Sequence, residues 1–105
     1  MSDIVCTKLL YVTDSSERIM VQLFKPEKIK DCEEFRCSFV ISSSENKFVD
    51  IKWFAVGADS VQSIILAMKE VGLRLKEINH RDYDKRISQF EDGVENDPHL
   101  GFIGI

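Results

Sequence analysis

A chain of 105 residues, 44% hydrophobic and 30% charged, has the length of one domain and a composition that folds. At this size roughly two-thirds of the surface is buried, which leaves little room for both a core and a deep substrate pocket. The formal net charge of −4 argues against a nucleic-acid backbone binder, which needs clustered Lys and Arg to displace counterions.

The start, Met1 to Cys6, has neither a basic n-region nor a long apolar h-region, so no secretory signal is read there. The longest uncharged apolar-rich stretch, Val61 to Met68, is far shorter than the roughly 18–20 residues of a membrane span. Cys6, Cys32 and Cys37 are odd in number and lack metal-type spacing. They read as reduced thiols, and a cytoplasmic location is expected.

In chain order, Ile4 to Val12 is rich in β-branched and aromatic residues and reads as a strand. A polar turn over 13–17 leads to a second strand, Arg18 to Phe24, where Ile19, Val21 and Leu23 alternate with Arg18, Met20 and Gln22. Pro26 stops that ladder because it has no N–H to donate. Glu34 to Ser42 alternates again, with Phe35, Cys37, Phe39 and Ile41 on one face. The fourth strand is expected over Lys47 to Val56. Val49, Ile51, Trp53 and Ala55 form its apolar face; Phe48, Asp50, Lys52, Phe54 and Val56 form a mixed face that meets water. Four strands joined by short loops imply an antiparallel meander.

The period then changes from two to 3.6. Val61, Ile64, Ile65, Met68, Val71, Gly72, Leu75 and Ile78 fall within about 140° of a helical wheel. Asp59 and Gln62 match a capping box at its start, and Asn79 is the expected end, followed by His80 and Arg81. A short second helix is predicted from Asp82 to Phe90, on the recurrence of Tyr83, Ile87 and Phe90. The apolar end, Leu100 to Ile105, is expected to dock on the body. The fold class predicted is a single α+β domain over 1–105: a four-stranded antiparallel sheet, one long helix on a face, a short C-terminal helix and a docked tail.

Catalytic patterns are sparse. No serine sits in a nucleophile elbow, and the five glycines match neither a P-loop nor a dinucleotide fingerprint. No His or Cys pair has zinc-ligand spacing, so no metal or cofactor is expected. Cys37, between Phe35 and Phe39, reads as core. The pairs Asp82/Asp84 and Glu33/Glu34 sit in charged segments, whereas a general acid needs burial to raise its pKa.

Two surface features remain. The last fifteen residues carry four acids, Glu91, Asp92, Glu95 and Asp97, and no base, so they account for the whole net charge of −4. They read either as a solvated loop or as a rim for a basic partner. Leu66 and Leu73, a heptad apart, fall outside the main helical stripe. They are covered by the second helix or the tail, or else form an apolar ridge for a partner or a homodimer. Phe48 and Phe54 pose the same question on the mixed sheet face.

The segment Gly57-Ala58-Asp59-Ser60-Val61-Gln62 with Ala67, together with Pro26, Cys37 and Phe39, and Leu100-Gly101-Phe102, resembles a family of small uncharacterised bacterial proteins. No activity follows from the resemblance. By the family's small size and sporadic occurrence it implies, by analogy, an immunity protein. The expectation is therefore a non-enzymatic, cytoplasmic protein-binding module, an immunity protein or antitoxin whose acidic rim and apolar anchors cover a basic toxin domain. The alternatives are a homodimeric adaptor using Leu66, Leu73 or a free strand edge, and an enzyme with a scattered site at His80, Tyr83 and His99.

Overall fold

The computed structural model describes residues 3–13, 15–44, 49–81, 86–90 and 97–102, with the side chain of residue 81 left aside. Its elements are β1 (Ile4–Val12), β2 (Arg18–Phe24), β3 (Glu27–Lys28), β4 (Phe35–Ser43), β5 (Asp50–Gly57), α1 (Ser60–Arg81) and β6 (Ile87–Ser88). The class is α+β, with one antiparallel sheet and the long helix packed on a face.

The four predicted strands form the meander β1-β2-β4-β5, antiparallel throughout. β1 and β2 have the expected bounds, β4 is shifted by one residue from Glu34–Ser42, and β5 runs from Asp50 to Gly57 rather than over Lys47–Val56. Two short strands join them, so the sheet has six strands rather than four. At Pro26 the ladder breaks as expected, but the chain resumes pairing as β3. Leu23 pairs with Phe39 and Glu27 with Arg36, so the register slips by one residue across the proline. β3 thus continues the line of β2 along β4.

The second correction is the C-terminal helix. Residues 82–85 lie outside the described set, but Ile87–Ser88 is a strand, pairing with Val12 and Tyr11. Asn79 explains it. Its Oδ1 accepts from the Ile87 N–H at 2.7 Å, and its Nδ2 donates to the Ile87 carbonyl at 2.8 Å. The amide thus supplies the backbone partner that a neighbouring strand would supply, while β1 pairs the other side. Asn79 is therefore not the helix end, and α1 continues to Arg81.

Cross-strand partners share a face. Leu10, Ile19, Val21, Leu23, Cys37, Phe39 and Ile41 form the buried face. α1 lies across β4 and β5 and barely reaches β2. Its start is the capping structure expected: Asp59 Oδ1 accepts from the Gln62 N–H at 2.7 Å, and the Gln62 side chain accepts from the Ala58 N–H. Gly57 is required there, because a Cβ would lie 2.8 Å from the Gln62 carbonyl carbon and 2.9 Å from Ser63 Cα.

The half of the buried face near β1 has a different cover, made by the tail, while β6 extends the sheet beside β1. Leu100 is fully buried and Phe102 nearly so. Lys8 bridges this cover to β1: its Nζ donates to Gln89 Oε1 at 2.7 Å and stands 5.3 Å from the centre of the Phe102 ring. The docked tail is thus present over 97–102.

Candidate functional site

β5 is an edge. Among the described residues it pairs only with β4, and its other side is open. On the face that α1 covers, Trp53 is the cross-strand partner of Phe39. Phe39 is buried, yet Trp53 is 53% exposed. The periodicity assigned Trp53 correctly to the apolar face; its place on the outermost strand leaves it beyond the helix's cover.

Trp53 and Phe54 leave the strand on opposite faces, yet their rings stack with centroids 5.1 Å apart and planes at 26°. They meet around the free edge of β5, since β4 occupies the other flank. The Arg36 guanidinium lies 4.8 Å from the centre of the Phe54 ring and holds it from the outer face.

Beside this aromatic pair runs a groove of about 310 Å³, lined by Trp53, Phe54 and Ala55 from β5 and by Leu66, Lys69, Glu70 and Leu73 from α1. The helical residues recur at i, i+3, i+4 and i+7, which is one line along a helix. The structure therefore brings Leu66 and Leu73 together, half-buried, at the Trp53 edge. Among the described residues the tail does not cover them; it lies against β1, at the far edge of the sheet from β5. Glu70 is steadied by Arg74, whose Nε donates to Glu70 Oε1 at 2.8 Å.

Chemically the groove offers aliphatic and aromatic surface with one cation and one anion at its mouth. Its volume sits at the bottom of the range for small-molecule sites, roughly 300–1,000 Å³. Lys69 and Glu70 are adjacent in sequence and diverge around the helix, so they do not converge on one ligand atom. The surface suits an apolar side chain from another polypeptide better than a metabolite.

The other candidates lie elsewhere. Glu91, Asp92 and Glu95 fall outside the described residues, as do Phe48 and Tyr83. Asp97 is described, and its carboxylate is engaged within the chain: Oδ1 accepts from the His99 N–H at 2.9 Å and Oδ2 from the Gly101 N–H at 3.0 Å. Those backbone donors, the His99 one foremost, hold its pKa below the usual carboxylate range, with help from the charges of His99 and Lys8. Asp97 thus organises the tail turn beside Lys8 on β1, with β2 and β4 between it and the groove. It does not share a site with Leu66 and Leu73. His80 is exposed on α1, while His99 is half-buried in the tail turn. Cys37 is buried, its Sγ 3.4 Å from the Phe24 carbonyl, and burial pushes its thiol pKa up, as does the neighbouring Cys6. A raised pKa keeps it a thiol and therefore a poor nucleophile.

Sequence reasoning missed Trp53 as a site residue. The available signal was a lone tryptophan next to a phenylalanine on the last strand of a meander, which is an edge by construction.

No helix of the described chain is long and apolar enough to cross a membrane. A family model described as a domain of unknown function, DUF6968, matches residues 6–96. No curated protein and no solved structure matches the chain.

Proposed function

We propose that this chain, which belongs to the DUF6968 family, is a non-catalytic protein-binding module that docks through the groove between β5 and α1. The observation that carries this reading is the exposed Trp53 standing over Leu66 and Leu73 at an open sheet edge. A tryptophan with half its surface in water, beside two half-buried leucines, has the composition of an interface anchor. Binding there is steric: an apolar side chain of the partner displaces water from the groove, and Lys69 and Glu70 set its orientation.

The narrower reading, neutralisation of a basic toxin domain by an acidic rim, draws no support from the groove. Three of its four acids lie outside the described residues, and Asp97 is engaged in a turn.

The test is a photocrosslinking side chain placed at Leu66 in native-host cells, with the same side chain at the exposed Glu33 as control. A discrete adduct to a polypeptide from position 66 and none from position 33 supports the docking face. Absence of any adduct from position 66 overturns it.

A further inference from the structure

We infer that the polypeptide docking in this groove is a second copy of the chain, with the two α1 helices side by side and parallel about a two-fold axis. This rests on the groove being a protein-docking face, and it names the partner.

The charge pattern selects the arrangement. Leu66 and Leu73 are seven residues apart, so they lie about 20° from one another around α1 and about 10 Å apart along it. Lys69 and Glu70 flank the line they form, one on each side, each about 50° away. Consider two copies with their leucine lines facing. If the helices are antiparallel, the two-fold runs perpendicular to them and sets Lys69 against Lys69 and Glu70 against Glu70. If they are parallel, the two-fold runs along them and sets each Lys69 against the Glu70 of the other copy, twice. Leu66 then meets Leu66 and Leu73 meets Leu73, an isologous contact. Opposite charges across a contact favour that register, and like charges disfavour the alternative.

The parallel arrangement also uses two exposed apolar groups, Trp53 and Ile65. Each copy's Trp53, on the sheet side of its groove, faces the solvent side of the other copy's helix. Ile65 stands there, 39% exposed. Pairing of β5 with a second β5 is the competing mode. The Trp53 and Phe54 rings, stacked around the strand edge, occupy the place an added strand would take, so the contact is made by side chains.

The experiment is sedimentation velocity on the full chain at about 100 µM, with Lys69→Glu and Glu70→Lys variants. Both side chains are half-buried at the flank of α1, Glu70→Lys also removes the ion pair with Arg74, and circular dichroism confirms the fold of each variant. The wild-type chain sediments as a dimer. Each variant alone sets like charges against each other and self-associates at least about 10-fold more weakly. An equimolar mixture of the two variants regains the dimer, because positions 69 and 70 are then both anionic in one copy and both cationic in the other. A wild-type chain that is monomeric at this concentration, single variants as dimeric as wild type, or a mixture that stays monomeric overturns the inference. The docking reading fails separately. An adduct from position 66 with a different polypeptide leaves that reading standing and removes the second copy as its partner.

Discussion

Asp97 shows how one side chain can be legible as a charge and illegible as a role. In the sequence it is one of four acids in a base-free stretch, and nothing in a charge run distinguishes a rim residue from a turn residue. In the structure its two oxygens hold the backbone of His99 and Gly101, which lowers its pKa. A depressed folded-state value means that the turn's stabilisation is fully present above the unfolded value, about 4. It is lost as pH falls through the depressed value. Hydrogen exchange of the His99 and Gly101 amides should therefore stay slow, relative to the intrinsic rate, from neutral pH down to the ordinary carboxylate range. Protection should fall below that range. Asp97→Asn, with a single acceptor oxygen, should lose much of that protection at neutral pH and show no such pH dependence. Equal protection in wild type at neutral pH and well below the ordinary carboxylate range would remove this role for the carboxylate.

At the scale of elements, strands were read better than contacts. β1 has the bounds that its β-branched and aromatic content gives, and β2 those that alternation gives, because each side chain's face is fixed by a period of two. The helix was found and its cap read correctly, but its buried stripe was not. Hydrophobicity placed Val61 and Ile65 inward; they are 64% and 39% exposed. Ser63 and Ala67 are fully buried instead, a rotation of about 70° around the wheel. Small side chains at these positions let α1 approach the sheet closely, and the Ser63 hydroxyl is satisfied by the Ser60 carbonyl at 2.8 Å. Periodicity weighs how apolar a residue is, whereas packing against a flat sheet rewards residues that take little room. That rotation turns Leu66 and Leu73 toward the β5 edge, so the groove follows from the error. β6 was illegible for another reason. Two residues carry no period, and Tyr83, Ile87 and Phe90 met a helical spacing within a window too short to test it. Its stability depends on Asn79, so Asn79→Ala should leave the Ile87 N–H and carbonyl without a partner on that side. The expected cost is about 2 kcal/mol, read as a lowered midpoint in urea. The Ile87 amide should exchange faster while the helical signal of α1 is kept. An unchanged midpoint would mean that β1 alone holds β6.

The whole molecule has one core under two covers. α1 lies over β4 and β5, and the tail lies over the β1 side, where β6 extends the sheet. The tail is held by backbone shape as well as by burial. Gly101 has φ +83, and a Cβ there would collide with Lys8 and Gln89. Leu100 has φ 53, which costs a residue with a Cβ about 1–2 kcal/mol; complete burial of its side chain offsets that. Leu100→Ala keeps the unfavourable backbone and removes the compensation, so it should cost about 3 kcal/mol. For a chain of this length that is a fall in Tm on the order of 15 °C. The core cluster is continuous from Leu100 and Ile87 through Leu10, Ile19 and Phe39 to Ala67 and Val71. The two covers should therefore melt together, although Trp53 stands on the side away from the tail. Thermal unfolding of Leu100→Ala followed by Trp53 fluorescence and by far-ultraviolet circular dichroism should shift by the same amount in both signals. A circular-dichroism shift without a matching fluorescence shift would show that the β5 groove keeps its structure when the tail is loosened. The groove would then depend on α1 alone and not on the core that both covers share.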